Sequence, residues 1–190
     1  MHKLAKTLIL IGALGGGLTA CANVESVDEA LAVDIAAMKM TPEKMGNLVK
    51  KIDENAEVRD NLIAFKIQER EVLIVFDENN DRMRTLTPIA PANLLDEAIM
   101  MRMLQANYDS VLDARYAVAD GLIWSAFIHP LGSLDEEALL SAIAQVVTGA
   151  ETFGTTFTSG AMVFGGGDSS ELHDELLKQL EEAAKKKDAI

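Results

Sequence analysis

The sequence is poor in cysteine, proline and aromatic residues, and its basic residues are outnumbered by acidic ones, 17 to 30. A chain with one cysteine cannot form an internal disulfide. Its fold must therefore depend on a hydrophobic core, which a hydrophobic content of 49% can supply. The net charge of -13 repels phosphate backbones, which argues against a nucleic-acid-binding protein. The same charge disfavours electrostatic attachment to anionic lipids.

Catalytic and metal-binding patterns are also lacking. The chain has three histidines, His2, His129 and His173, and no Ser-His-Asp or Cys-His pattern stands out around them. Residues 77–81 match the first three ligand positions of a calcium-binding loop. Arg82 then stands where the loop needs glycine, and Pro88 where it needs a bidentate glutamate. The sequence therefore predicts a hairpin turn here, and a protein without cofactor or enzymatic activity.

The N-terminus has the layout of a secretory signal. Lys3 and Lys6 precede an apolar run over residues 8–18, which contains several glycines. This run is about half of the roughly 20 residues that a membrane-spanning helix needs. Residues 1–20 are therefore predicted to be a signal peptide.

Residues 18–21, Leu-Thr-Ala-Cys, resemble the lipobox of bacterial lipoproteins. The resemblance implies acylation of Cys21 and cleavage before it, and two or more acyl chains hold a protein firmly to a bilayer. Residues 20–22 also fit an ordinary signal peptidase site, with cleavage before Asn23. The prediction is a periplasm-facing lipoprotein of the cell envelope, on the outer membrane if two membranes are present. A soluble periplasmic or secreted protein is the alternative.

Hydrophobic periodicity organises the rest of the chain. Residues 21–40 are predicted to form a lipidated tether or a first helix, and residues 154–167 a glycine-rich loop or a short extra strand. Thr41-Pro42-Glu43 and Ser133–Glu136 have the composition of helix starts, and Asp120-Gly121 is a strong hairpin signal. Predicted strands cover residues 62–68, 72–76, 82–89, 114–119 and 122–128. Predicted helices cover about 41–58, 93–108, 133–150 and 168–187.

The predicted fold class is α+β. The element order is α-β-β-β-α-β-β-α plus a C-terminal helix, with an antiparallel sheet of about five strands and helices on one face. The predicted divisions are a signal peptide (1–20), a tether (21–40), an α+β domain (41–153) and a glycine-rich segment with the last helix (154–190).

Three segments carry a family resemblance: Leu-Gln-Ala-Asn-Tyr at 104–108, Ala-Val-Ala-Asp-Gly-Leu-Ile-Trp at 117–124, and Leu-Asp-Glu-Glu-Ala-Leu at 134–139. They resemble the C-terminal half of type III secretion chaperone-like domains and of YbjN-like proteins. The resemblance covers residues 41–153 and implies a domain that often dimerises and holds protein segments. Secretion chaperones carry no signal peptide, so residues 1–20 depart from the pattern.

Two features form a candidate partner surface. Met100, Met101 and Met103 lie on one helix and could make an adaptable binding surface, although an ordinary core is the alternative. Trp124 and Phe127 point to opposite faces of one strand, so one ring lies away from the helices unless the C-terminal segment covers it. The predicted function is a membrane-anchored, protein-binding or chaperone-like module. Its predicted partners are the bilayer through acylated Cys21, protein segments and a second copy. The alternatives are a structural envelope lipoprotein without a binding site, or a hydrolase.

Overall fold

The computed structural model describes residues 40–109, 111–154 and 170–186. The predicted signal peptide, Cys21, most of the tether and most of the glycine-rich segment lie outside the described residues. The described helices are α1 (Pro42–Ile52), α2 (Glu97–Asp109), α3 (Glu136–Glu151) and α4 (Ser170–Lys186). The described strands are β1 (Glu57–Arg59), β2 (Leu62–Ile67), β3 (Arg70–Asp77), β4 (Arg82–Pro91), β5 (Arg115–Ala119) and β6 (Leu122–His129).

Helices α1 and α3 each begin with a side-chain cap. Thr41 accepts a hydrogen bond from the N–H of Lys44 at 3.2 Å, and Pro42 occupies the first turn of α1. The predicted capping box at residues 133–136 is wrong in detail. A short 3-10 turn covers Leu131–Ser133, and Asp135 caps α3 by accepting from the N–H of Ala138 at 2.8 Å.

The first helix is shorter than predicted. It ends at Ile52 rather than near Val58, because Asp53 is extended and its carboxylate accepts the N–H of Asn55 at 3.0 Å. This turn frees Glu57–Arg59 to pair with β2 as an additional strand. The described sheet therefore has six strands instead of about five.

The sheet is antiparallel throughout, with the strand order β1-β2-β3-β4-β6-β5. The four residues of the two turns Gln68-Glu69 and Asp120-Gly121 all have positive φ. This is the geometry of two-residue type I′ hairpin turns. These turns set the register on both sides of the sheet.

The prediction that the helices lie on one face is confirmed. One row of side chains on the helix side is fully or almost fully buried and consists of Ile63, Ile74, Thr85 and Phe127. The opposite row consists of Leu62, Val75, Arg84 and Ile128, and it is intermediate or exposed. No described helix covers that second face.

Helix α3 is the centre of the helical layer. From Leu139 to Ala150 only Ser141 is not buried. The sheet covers one side of α3, and α4 lies along another, with Leu176 and Leu180 in the same core. Gly149 permits a close approach to the sheet, since a Cβ there would lie 2.9 Å from the Oγ of Ser125. Within the described residues, no helix is both long enough and apolar enough to cross a bilayer.

Candidate protein-binding surface

Helix α2 buries one side and exposes apolar side chains on the other. Met103 and Ala106 lie in a small second cluster with Tyr116 and Ile123. We define the α2 surface as the exposed apolar side chains on α2 and the segments that flank it: Leu94, Ile99, Met100, Met101, Leu104, Tyr108, Leu112 and Val118. Exposed apolar patches of this kind mark protein-interaction sites.

The exposed part of α2 is a stripe. Met100, Leu104 and Tyr108 follow at four-residue spacing, with Met101 beside them, so all four lie on one side of the helix. Their exposed fractions run from 45% at Met100 to 67% at Tyr108. A helix that is apolar all round is normally covered on more than one side, and the described residues cover only one side of α2.

Asn107 fixes α2 to the edge of the sheet. Its side-chain amide donates to the carbonyl of Tyr116 at 3.0 Å, and the N–H of Tyr116 donates to its Oδ1 at 2.7 Å. The amide therefore takes the place of a neighbouring strand at that residue. Asn107 lies in one of the segments that resemble secretion chaperones, but no local pattern predicts its contact with Tyr116.

Tyr116 links the second cluster to α3. Its hydroxyl donates to the carbonyl of Gly149 at 2.7 Å, and its ring meets Phe153 edge-on with centroids 5.3 Å apart. Burial raises the pKa of Tyr116 to about 12. The position of α2 thus depends on both polar and aromatic contacts.

The structure separates the predicted surface residues. Met100 and Met101 are exposed on α2, whereas Met103 is 3% exposed and packs inside the second cluster. Phe127 is 7% exposed and lies in the main core on the helix side. Trp124 lies half-buried on the face without helices, where its Nε1 donates to the carbonyl of Ala119 at 3.0 Å. The predicted set therefore contributes to two different surfaces and to two core clusters.

The acidic residues at 77–81 shape a turn. Asp77 accepts hydrogen bonds from the N–H groups of Asn79 and Asn80, both at 3.0 Å, and from the side-chain amide of Asn80 at 2.7 Å. These bonds, that from the Asn80 side chain first, hold the pKa of Asp77 below its usual value. The carboxylate of Asp81 accepts the N–H of Gly132. The carboxylates of Asp77 and Asp81 therefore accept hydrogen bonds from amides of the protein itself.

The two remaining histidines have local contacts. His129 stacks on Phe127 with ring centroids 6.1 Å apart, and its Nδ1 lies 2.7 Å from the carbonyl oxygen of Pro130. On α4, Nδ1 of His173 lies 3.2 Å from a carboxylate oxygen of Asp174. Within residues 40–109, 111–154 and 170–186, no cluster of three metal-ligating side chains is present.

The comparison with known families identifies the domain. The model of the Tir chaperone protein (CesT) family matches residues 48–153. This chain belongs to that family. The matched region runs from within α1 to the end of α3 and includes all six described strands. No curated protein sequence matches the chain.

The chain is also similar to several solved structures. The chain is similar to the ExsC–ExsE complex, with 14% identity, a TM-score of 0.50, and coverage of 65% of this chain and 100% of that chain. It also resembles the HopA1–SchA chaperone–effector complex, with 10% identity, a TM-score of 0.46, and coverage of 57% and 88%. A third relative is the ExoU–SpcU complex of the type III secretion system of Pseudomonas aeruginosa, with 17% identity, a TM-score of 0.43, and coverage of 50% and 81%. At these identities, the likeness concerns the fold alone.

Family membership corrects the predicted location. The prediction of a lipid-anchored protein in the cell envelope is wrong, because CesT-family chaperones are cytoplasmic and bind their effectors before secretion. The leader-like pattern in residues 1–20 was the basis of the error. The family is one of non-enzymatic chaperones.

Proposed function

We propose that the protein is a chaperone that holds a segment of a partner protein and works as a homodimer formed through the α2 surface. Membership of the CesT family supports the protein-binding role. The observation that supports the dimer is the exposed stripe of Met100, Met101, Leu104 and Tyr108 on a helix whose opposite side is buried. We infer that the protein has no catalytic activity.

The chemistry of the α2 surface suits contact between two identical copies. In a two-fold dimer the same patch meets itself, so it must be complementary to its own surface. The flexible thioethers of Met100 and Met101 can fit an irregular partner, and Leu104 supplies an aliphatic centre. The stripe of these three side chains and Tyr108 carries no charge, so two copies bring no like charges together at its centre.

Sedimentation velocity of the purified chain tests the dimer. We expect the wild type to dimerise and Leu104→Asp to weaken the dimer by about a hundredfold or more, because a buried carboxylate without a partner is costly. The matched control is Leu172→Asp, which places the same charge at an exposed leucine of α4 (47% exposed, against 56% for Leu104). A monomeric wild type, or equal effects of the two substitutions, contradicts the dimer.

Binding of unfolded protein tests the chaperone role separately. One probe is reduced, carboxymethylated lactalbumin, which is permanently unfolded, and the others are a set of short apolar peptides. Fluorescence anisotropy measures the binding of each labelled probe. We expect the wild type to bind at least some of these probes with micromolar affinity. Failure to bind any of them, from a chain that is folded by circular dichroism, contradicts the proposed role.

A further inference from the structure

Strand β6 extends beyond its neighbour β5. The pairing of β5 with β6 ends at Arg115 opposite Ala126, whereas β6 continues along β4 to His129 opposite Met83. Residues 127–129 therefore have a described strand on one side only. Such a free edge offers backbone groups to another chain.

The register shows which backbone groups are free. In a two-residue type I′ hairpin the flanking residues, here Ala119 and Leu122, form a hydrogen-bonded pair, and such pairs recur at every second residue. Trp124, Ala126 and Ile128 therefore direct their N–H and C=O groups towards the β5 side. The hairpin at Gln68-Glu69 independently predicts the same alternation of hydrogen-bonding directions along β6.

At the second hairpin, the flanking residues Ile67 and Arg70 form a hydrogen-bonded pair, and the same alternation continues across β3 and β4. The even-numbered residues of β4 therefore form backbone hydrogen bonds with β3, and Thr85 forms them with Phe127 of β6. Ile128 thus points its backbone groups to the side that β5 has left. Among the described residues, nothing forms a hydrogen bond with them.

Gln145 keeps this edge open. If β5 began two residues earlier, Asp113 would pair with Ile128. Instead, the N–H groups of Asp113 and Ala114 donate to Oε1 of Gln145 at 2.8 and 3.0 Å. Gln145 is a buried residue of α3, and its side-chain nitrogen donates to Ser141 at 3.1 Å. The loop before β5 is therefore drawn towards α3 and away from β6.

A cavity of about 420 Å³ fills the resulting gap. Its apolar lining residues are Phe127, Ile128 and Ala138, and its polar lining residues are Asp113, His129, Ser141 and Gln145. Asp113 is exposed, and neither lysine nor arginine lines the cavity. The cavity therefore has a mixed lining, with apolar groups beside β6 and a negative charge at its rim.

We propose that Ile128 is the docking point for an extended segment of a partner protein, which adds a short β-bridge to β6 and inserts one apolar side chain into this cavity. The residue opposite Ile128 exchanges two backbone hydrogen bonds with it, and its side chain lies on the helix-free face. The next residue points to the helix side, between Phe127 and Ala138. A lysine or arginine nearby pairs with Asp113, so the preferred segment is apolar and basic. This assignment depends on the proposed chaperone role and specifies where the segment binds.

A labelled peptide of alternating valine and lysine with one central leucine is the probe, and anisotropy with the full chain is the measurement. Ser141→Leu fills part of the cavity, with Ser141→Ala, which removes only the hydroxyl bonded to Gln145, as its control. Asp113→Lys reverses the charge at the rim. We expect Ser141→Leu and Asp113→Lys each to weaken binding about tenfold or more. Glu182→Lys makes the same charge change at an exposed position of α4 and is expected to leave binding unchanged within about twofold.

Two further peptides sharpen the result. Methylation of the backbone nitrogen opposite Ile128 removes one bridging hydrogen bond, and replacement of the lysines by glutamates reverses the charge. Both changes are expected to weaken binding about tenfold. Asp113→Lys is expected to restore binding of the glutamate peptide.

The outcomes separate this assignment from the chaperone role. If the peptide binds the wild type, Ser141→Leu and Asp113→Lys equally, the Ile128 site is wrong while segment binding stands. If Ser141→Leu weakens the dimer in sedimentation but leaves peptide binding unchanged, the edge is a contact between copies and the assignment is again overturned. If the wild type binds unfolded lactalbumin but not this peptide, the assignment also fails without loss of the chaperone role.

Discussion

Helices α2 and α3 are both rich in apolar residues, but the rest of the chain covers α3 much more completely than α2. The sheet and α4 together leave no residue of α3 exposed between Leu139 and Ala150. The sheet edge and the second cluster cover only the Met103 side of α2, and the stripe around Leu104 remains exposed. The comparison indicates that the α3 region carries most of the stability, whereas the α2 region is left for a partner.

The edges of the sheet show a similar contrast. Three side chains replace a missing strand: Asp53 accepts the N–H of Lys66, Asn107 pairs with Tyr116, and Gln145 accepts the N–H groups before β5. At Ile128 no such side chain is present among the described residues. Covered edges resist pairing with other chains, and an open edge invites it.

The largest expected effect tests the difference between the two helices. Leu139→Ala, at a position with no exposure, should lower the free energy of unfolding by about 3 kcal/mol, because it leaves a cavity in the main core. The same change at Leu104 should cost about 0.5 kcal/mol or less in the monomer. Urea unfolding at low protein concentration measures both. Equal losses would remove the distinction between the two regions.

A smaller effect concerns the attachment of α2. Asn107→Ala removes two hydrogen bonds and leaves the backbone of Tyr116 unpaired, so we expect a loss of about 2 kcal/mol and a weaker dimer. Gln105→Ala, at an exposed position of the same helix, is the control. Urea unfolding and sedimentation measure the two effects. An Asn107→Ala chain with unchanged stability and dimerisation would show that this amide does not position α2.

The junction of α3 and β6 should respond to a single methyl group. Gly149→Ala places a Cβ 2.9 Å from Ser125, and crowding of a core costs about 1 to 3 kcal/mol. Alanine is also favoured over glycine in a helix by about 1 kcal/mol, so we expect a net loss of about 1 kcal/mol. The double variant with Ser125→Ala should recover this loss in urea unfolding. No recovery would mean that the crowding involves other contacts.

The smallest effect is the pH dependence at the β1 edge. Asp53 accepts the N–H of Lys66 at 2.9 Å and that of Asn55 at 3.0 Å, and these bonds lower its pKa. A lowered folded pKa gives stability that is present above the unfolded value of about 3.9 and is lost as the pH falls through the folded pKa.

Asp53→Asn should therefore cost less than about 1 kcal/mol at pH 7 and progressively less below pH 4. Urea midpoints across this range measure the difference, with Glu54→Gln as the control. A constant difference across the range would assign the effect to packing instead of charge.

Local signals in the sequence predicted much of the fold. The Thr41-Pro42 helix start and the Asp120-Gly121 turn are formed by neighbouring residues, and the structure has both. Strand β1 was missed because it has only three residues, Glu57–Arg59, which follow an amphipathic helix with no strong break. The bonds made by Asn107 and Gln145 span nine and more than thirty residues, so no local pattern could predict them.

The sequence by itself determined the alternation of helices and strands, the antiparallel sheet with its helices on one side, and the acidic charge, because these follow from periodicity, turn residues and composition. Only the tertiary structure decided which apolar side chains remain exposed. Met100 and Met103 are the same residue type three positions apart, yet one is 45% exposed and the other 3%. Burial depends on what the rest of the chain brings against a helix, and that contact is made between residues distant in sequence.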